Sequence, residues 1–208
     1  ADKDYSYECE GCDSLISIVD TGGYRQIEYQ KKNVRGIKYE DNMVTWEMPY
    51  KYFILSSMKS WRDVNAWAMK VFALDKEPDL DEVFDEVLTG DESTETKINK
   101  LIDYVQDDIR YMGIESGIGS IKPFPPEQVV KQRFGDCKDK SLLLVSLLKK
   151  IGVPDAYPVL VNTDLHNTIE GFFPGNQCFT HCIVTFEYEN NVYWVDPTLT
   201  LQGGGFKS

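Results

Sequence analysis

Basic residues are scarce in this chain: 22 lysines and arginines stand against 34 aspartates and glutamates, for a formal net charge of −12. This balance argues against a nucleic-acid backbone or an anionic membrane surface as partner. Long hydrophobic runs are also lacking, and no stretch approaches the roughly 20 apolar residues that cross a bilayer. No signal peptide is recognisable, and the start without methionine suggests a processed protein or an excised fragment.

Histidine and cysteine are few, with two and five residues. Five cysteines cannot all pair, so at least one is free or bonded outside the chain. Cys9 and Cys12 have the spacing of half a zinc site, but the other half would need Cys178 and Cys182, whose spacing is less usual. We therefore expect no metal, and a Cys9–Cys12 link or two free thiols stay open. A redox role for Cys9 and Cys12 lacks the βαβ context of a thioredoxin-like motif.

The first 57 residues predict a β-rich module without a chemical constellation. At 208 residues and 42% hydrophobic, the chain can bury one substantial core and a small second one. Strand-like alternation occurs at residues 15–19, 24–29, 43–48 and 52–55. We interpret residues 1–57 as a β-rich module, an incomplete domain or a linker to one, and residues 58–208 as the main domain.

Between residues 58 and 135 the apolar spacing predicts four helices. The first opens at Ser60, where Asp63 completes a capping box, and the others are expected at residues 79–88, 93–110 and 126–132. A glycine-punctuated loop over residues 111–120 lies before the last of them. No strand feeds this loop and no Gly-Lys-Ser/Thr closes it, so it is not a phosphate loop.

Residues 133–152 predict a sharp turn followed by a buried helix. Gly135 supplies backbone freedom for the turn. Asp136 is the expected N-cap, and Asp139 answers it as in a capping box. A leucine-rich face then runs to Gly152, the expected C-cap.

Cys137 therefore lies on the first turn of this helix. Unpaired N–H groups and the positive end of the helix dipole favour a thiolate there, and Lys138 and Lys140 add positive charge nearby. A small buried core residue is the alternative, since most free cysteines are of that kind. Because a core cysteine seldom lies between an aspartate and a lysine at a helix start, we favour a nucleophile.

The last third of the chain predicts three strands. The first covers residues 156–161, and a long polar segment over residues 162–177 has the length of a functional loop. Residues 179–188 and 192–196 then form a hairpin around a turn at Asn190-Asn191. This hairpin brings His181 and Asp196 onto neighbouring strands. Taken alone, His181 would be interpreted as a core or edge histidine and Asp196 as a strand-end turn residue. Together they supply the base and the orienting acceptor that thiol chemistry on an amide needs.

Three motifs together resemble the transglutaminase-like superfamily, in the bacterial branch where this core follows a β-rich domain of unknown function. They are residues 135–140 (Gly-Asp-Cys-Lys-Asp-Lys) with the leucine-rich helix, residues 180–184 (Thr-His-Cys-Ile-Val), and residues 193–198 (Tyr-Trp-Val-Asp-Pro-Thr). The resemblance extends from about residue 58 to the end, and residues 48–49 and 56–67 resemble the junction of the two domains. Only the first motif is specific by itself.

The resemblance implies an α+β fold with a papain-like core, in which the cysteine-bearing helix packs on an antiparallel sheet and a β-rich segment precedes the core. In that family pattern Cys137 is the nucleophile, His181 the base and acid, and Asp196 the orienter. The oxyanion hole uses the cysteine's backbone N–H and an upstream donor, for which Tyr111 and Gln132 are candidates. No EF-hand-like spacing is present, so neither calcium dependence nor any cofactor is expected.

These observations predict a thiol-dependent enzyme that attacks amide or peptide bonds through a thioester, as a protease, amidase or transglutaminase-type acyltransferase. A non-catalytic protein-interaction module with the same fold is the alternative, although such a module needs no intact triad. The expected partner is a protein, a peptide or a cell-wall peptide. The resemblance also implies export to the periplasm, the cell envelope or the extracellular space.

Overall fold

The computed structural model of this protein describes residues 5–10, 16–22, 24–30, 32–33, 36, 52–113, 117–164, 166–202 and 204–207. The chain divides into two compact units. One comprises Ala1–Val64 and Asp164–Cys178, and the other comprises Asn65–Thr163 and Phe179–Ser208. The boundary at residues 57 and 58 stays a prediction. Across the described ranges, no helix combines the length and the apolar character that spanning a bilayer requires.

The first unit contains two antiparallel strand pairs. Strand β1 (Ser6–Cys9) pairs with β4 (Phe53–Ser56), and β2 (Ile16–Thr21) pairs with β3 (Tyr24–Tyr29). The strands expected at residues 15–19, 24–29 and 52–55 agree with these elements. The strand expected at residues 43–48 lies outside the described residues. A β-rich segment therefore precedes the core, as expected.

The second unit contains both helices and strands. Helix α1 (Trp61–Val71) starts in the first unit and ends in the second. The other helical elements are α2 (Asp81–Val87), α3 (Thr94–Asp103), a π-helical turn (Tyr104–Asp108), α4 (Pro126–Gln132) and α5 (Cys137–Lys150). The strands are β5 (Arg110–Tyr111), β6 (Phe134–Gly135), β7 (Ala156–Val161), β8 (His181–Tyr188) and β9 (Asn191–Val195). A short 3₁₀ turn covers Gly117–Ser120 in this unit, and the first unit has two more, at His166–Gly171 and Asn176–Cys178.

Helix α5 is the central element of the second unit. Every residue from 137 to 148 is buried, because the helix packs against α3 and α4 as well as against β7 and β8. A helix buried on all sides favours apolar side chains, and burying each leucine contributes about 1.5–3 kcal/mol to folding stability. Four of them are fully buried: Leu143, Leu144, Leu147 and Leu148. The prediction of a cysteine-bearing helix packed on an antiparallel sheet is confirmed.

The start of α5 has the predicted capping box. The Asp136 side chain accepts from the backbone N–H groups of Lys138 and Asp139, at 3.1 and 3.2 Å. The Asp139 carboxylate accepts from the backbone N–H of Asp136 at 3.0 Å and from that of Phe124 at 2.8 Å. The box therefore fixes the first turn of the helix and also anchors the segment that precedes α4.

Gly135 is needed for close approach and not for an unusual φ. A Cβ atom at this position would lie 2.7 Å from the Asp139 Cβ and 3.3 Å from the Val129 Cγ1. The left-handed residue of the turn is Arg133, with φ of 59° at the end of α4. The expectation that Gly135 provides conformational freedom is thus corrected. The turn packs so tightly against α5 that only a residue without a side chain fits at this position.

Strands β7, β8 and β9 form one antiparallel sheet in that order. The hairpin turn lies one residue earlier than predicted, because Tyr188 pairs with Asn191 and the two turn residues are Glu189 and Asn190. Both have positive φ, at 51° and 63°, as a type I′ turn requires. The prediction of a turn at Asn190-Asn191 is therefore wrong by one residue.

The glycine-rich loop after residue 110 starts with a short strand that the sequence did not suggest. Strand β5 runs parallel to β6, with Arg110 opposite Phe134 and Tyr111 opposite Gly135. Apolar alternation cannot be recognised over two residues, so only the tertiary pairing defines this strand. It places Tyr111 beside the turn that leads into α5.

Candidate active site

Cys137 is the first residue of α5 and has an exposed fraction of 9%. Position N1 follows directly from the cap at Asp136, and the backbone N–H groups of the first helical turn point towards this end. Ser141, one turn further along α5, donates its hydroxyl to the backbone carbonyl of Cys182 at 3.1 Å. This bond attaches the cysteine helix to β8 next to His181.

His181 and Asp196 are in direct contact. The His181 Nε2 and the Asp196 Oδ2 are 2.8 Å apart, and both side chains are largely buried, with 17% and 24% exposed. A carboxylate only accepts, so Nε2 carries the proton of this hydrogen bond. The hairpin register explains the contact: β8 and β9 pair Val184 with Val195, so His181 and Asp196 are diagonal neighbours on one face of the sheet.

The Cys137 side chain lies close enough to the His181 imidazole to contribute to its raised pKa. Since Nε2 faces Asp196, Nδ1 is the ring nitrogen left for the sulfur. The bond from Asp196, followed by the interaction with Cys137, raises the pKa of His181 from 6.5 to about 10 although burial opposes the rise. The arrangement therefore favours an imidazolium between two groups that carry or can acquire negative charge. The imidazole therefore contacts the Asp196 carboxylate directly and has the Cys137 side chain as a neighbour.

Asp196 is held by its own local turn as well as by the imidazole. Its Oδ1 accepts from the backbone N–H of Thr198 at 2.9 Å and from the Thr198 hydroxyl at 2.7 Å. Burial by itself would raise the pKa of Asp196, but the bonds from His181 and Thr198 outweigh it and lower the pKa. The carboxylate therefore stays ionised and faces the imidazole.

The two lysines beside Cys137 are engaged elsewhere. The Lys138 amine forms an ion pair with the Asp136 carboxylate. The Lys140 amine, which is fully buried, donates to backbone carbonyl oxygens at the end of the π-helical turn. Burial lowers the pKa of Lys140 to about 8, against an opposing effect of Asp107 and Asp196. The expectation that both lysines act on the thiol is revised. The cation of Lys138 is paired with Asp136, and that of Lys140 binds the backbone carbonyl oxygens of Gln106 and Ile109.

The two candidates for the second oxyanion donor differ in their surroundings. The Gln132 side-chain amide donates to the backbone carbonyl of Phe134 at 2.8 Å. Tyr111 pairs with Gly135, two residues before Cys137, and its side chain has an exposed fraction of 46%. Tyr111 is therefore the more exposed of the two candidates.

The remaining cysteines differ in whether they form a disulfide. Cys9 is disulfide-bonded, which accords with a link of the Cys9-x-x-Cys12 segment, although Cys12 lies outside the described residues. Cys178 and Cys182 are buried and form no disulfide. Within the described part of the chain, no group of three or more His, Cys, Asp or Glu side chains is arranged to hold a metal ion.

Sequence reasoning missed two residues that support this site. Thr198 orients Asp196, and its position in the Tyr-Trp-Val-Asp-Pro-Thr motif was an available signal. Gln106 donates its side-chain amide to the backbone carbonyl of Asp196 at 2.9 Å and has an exposed fraction of 2%. Its signal was a polar residue four positions after Ile102, in line with the apolar stripe of the helix.

Comparisons with known proteins identify the family and the fold. A family model described as transglutaminase-like superfamily matches residues 81–197. Among solved structures, the chain is similar to a "putative protease" from Parabacteroides distasonis ATCC 8503, with a TM-score of 0.70 and 13% sequence identity. The match covers 93% of this chain and 37% of that one, so this chain spans little more than a third of its length, and the similarity shows the fold alone. None of the curated proteins matches this chain.

Proposed function

Because this chain belongs to the transglutaminase-like superfamily, we propose that it is a thiol-dependent acyl-transfer enzyme acting on amide or peptide bonds. One observation supports the proposal: the His181 imidazole hydrogen-bonds the Asp196 carboxylate at 2.8 Å and has the Cys137 side chain as its other polar neighbour that raises its pKa. In such an arrangement the thiol can pass its proton to the imidazole, and the carboxylate stabilises the imidazolium that forms.

The proposed reaction has two halves. The Cys137 sulfur, its proton transferred to Nδ1 of His181, attacks the carbonyl carbon and forms a C–S bond. The C–N bond then breaks, and His181 returns the proton to the departing amine, which leaves a thioester on Cys137. Water or a second amine attacks that thioester, gives one proton to His181 and releases the sulfur. Water gives hydrolysis, and an amine gives a new amide.

The oxyanion of each half-reaction needs two donors, for which we propose the backbone N–H of Cys137 and the phenol of Tyr111. Replacing Tyr111 with phenylalanine is expected to lower kcat roughly 10²–10³-fold with little change in KM, because one donor to the transition state is lost. Steady-state kinetics on a cleavable amide measures this.

Gln132→Met is the comparison for that experiment, since it removes the other candidate donor. We expect it to leave kcat within a small factor of the parent. A large loss of kcat in Gln132→Met with an unchanged Tyr111→Phe would assign the donor to Gln132 instead.

The proposed substrate is a protein, a peptide or a cell-wall peptide, because the family's chemistry acts on carboxamides and peptide bonds. We further propose that the protein works outside the cytoplasm, as its resemblance to the exported bacterial branch implies. The disulfide at Cys9 supports this, because disulfides persist in oxidising compartments. Fractionation of the source cells followed by immunoblotting tests the location, and a purely cytoplasmic signal would refute it.

Thiol reactivity tests the proposal before any substrate is known. Near neutral pH, iodoacetamide is expected to label Cys137 much faster than Cys178 or Cys182, and His181→Ala should remove the difference. Burial raises the pKa of Cys178, and it raises that of Cys182 to about 12, so these two thiols resist deprotonation. Peptide mapping by mass spectrometry gives the rate at each cysteine. Equally slow labelling of Cys137, Cys178 and Cys182 would contradict an activated nucleophile.

Trapping of the thioester separates the enzyme from a binding module of the same fold. Incubation with a panel of peptides and cell-wall fragments, followed by acid quenching and intact mass measurement, is expected to show an acyl adduct on Cys137. A fast-labelling thiol that forms no adduct with any member of a broad panel would favour the non-catalytic alternative.

A further inference from the structure

A series of buried polar contacts connects the helix of Cys137 with the segment of Asp196. The Lys140 amine donates to the backbone carbonyl oxygens of Gln106 and Ile109, at 3.2 and 2.6 Å. The side-chain amide of Gln106 donates in turn to the backbone carbonyl of Asp196 at 2.9 Å. Lys140 is fully buried and Gln106 is 2% exposed. Gln106 therefore contacts both the helix that carries Cys137 and the segment that carries Asp196.

The local structure explains why these groups need each other. Gln106 lies in the π-helical turn Tyr104–Asp108, and the last carbonyl groups of any helix have no partner within it. The Lys140 amine supplies that partner from α5, three residues after Cys137. A π-helical turn inside a helix frequently occurs at functional sites. Here it directs a glutamine side chain into the core, on the side of the Asp196 backbone.

Asp196 accepts two hydrogen bonds at its backbone carbonyl, from the Gln106 amide at 2.9 Å and from the backbone N–H of Leu199 at 3.4 Å. It follows the last residue of β9 and precedes Pro197, which has no N–H to donate. The bond from Gln106 is the shorter of the two and comes from a distant part of the chain, while Thr198 fixes one carboxylate oxygen at 2.7 Å. The second proton of the same Gln106 amide goes to Gln202 Oε1 at 2.7 Å and holds the chain beyond the site.

We propose that Gln106 is a positioning residue, which fixes the backbone of Asp196 relative to the Cys137 helix and thereby aims the carboxylate at His181. Gln106 touches no reacting atom. The inference rests on the proposed function for its effect on turnover, whereas its effect on the protonation of His181 can be measured without any substrate.

The test is the variant Gln106→Met, which keeps the side-chain length and removes the donor. The chain has only two histidines, so a His166→Gln background leaves one imidazole to follow by NMR titration. In Gln106→Met the apparent pKa of His181 should fall towards 6.5. On a substrate, kcat should fall up to about 100-fold with KM unchanged, the size of effect expected for a small misplacement.

Asn99→Ala is the matched control. Asn99 Oδ1 accepts from the backbone N–H of Phe206 at 2.9 Å, so this variant removes one side-chain contact between α3 and the same C-terminal segment, ten residues beyond Asp196. We expect a comparable loss of urea stability with the His181 titration and kcat unchanged. If Gln106→Met matches Asn99→Ala in both readouts, the role of Gln106 is structural and the proposal is overturned.

A second variant, Gln106→Asn, covers the case in which methionine is not tolerated. Its amide is one methylene too short to reach the Asp196 carbonyl, and we expect the same fall in the His181 pKa. If neither variant folds by circular dichroism, Gln106 serves folding and the proposal fails. A different outcome is a His181 pKa that is raised in the parent and falls in Gln106→Met, while the parent turns over no substrate. That result would refute the proposed function and leave the positioning role in place.

Discussion

Cys137→Ala is expected to lower kcat on any amide substrate by on the order of 10⁵-fold, because no other side chain can form the thioester. The fold should persist, since the change removes one sulfur atom at the start of a helix whose cap is made by Asp136 and Asp139. Steady-state or single-turnover kinetics measures the loss, and urea unfolding checks the fold. The acyl adduct should also disappear from the intact mass.

Cys178→Ala is the control for this variant. Cys178 is also a buried cysteine outside any disulfide, and its thiol donates to the backbone carbonyl of Phe173 at 3.4 Å. We expect full activity and full adduct formation in Cys178→Ala. A Cys137→Ala protein as active as its parent would end the enzymatic proposal, whatever the control shows.

Asp196→Asn is expected to lower kcat about 10⁴-fold, since the amide cannot stabilise an imidazolium and can hold the ring in the wrong tautomer. The variant also removes the largest of the interactions that raise the pKa of His181. Substrate binding should change little, because Asp196 contacts the imidazole and Thr198. The ratio of the effects on kcat and KM therefore tests its role as an orienting group.

The pH dependence of the same variant gives a second readout. The step that expels the amine needs an imidazolium, and in the parent protein the raised pKa keeps that form present well above pH 6.5. Activity at high pH should therefore decline late, towards pH 10, in the parent. In Asp196→Asn the residual activity should decline at a lower pH. An unchanged profile would show that Asp196 does not govern the protonation of His181.

Asp155→Asn is the control for both measurements. Asp155 lies just before β7 in the same unit, and its carboxylate accepts from the hydroxyl of Tyr157 at 3.1 Å. The substitution makes the same chemical change on the same sheet without contacting the imidazole. We expect kcat and the pH profile to match those of the parent.

Local rules predicted most of the elements that build the site. The spacing of Asp136 and Asp139 defined a capping box, the leucines after Cys137 defined a buried helix, and the alternation around His181 defined a strand. These features depend on residues within one turn or one strand pair, where a side chain and its partner are separated by only a few positions. The sequence missed the π-helical turn, the two-residue strand at Tyr111 and the true hairpin turn.

By itself the sequence determined the type of each chemical group and the element that carries it: a thiol at a helix start, an imidazole on a strand, and a carboxylate before a proline. The tertiary structure decided which of these groups meet. The hairpin register made His181 and Asp196 diagonal neighbours, and the packing of α5 on β8 brought the Cys137 side chain to the imidazole. It alone placed Gln106 on the Asp196 backbone, 90 positions away. Contacts at such separation depend on how whole elements pack, and no local pattern of residues encodes them.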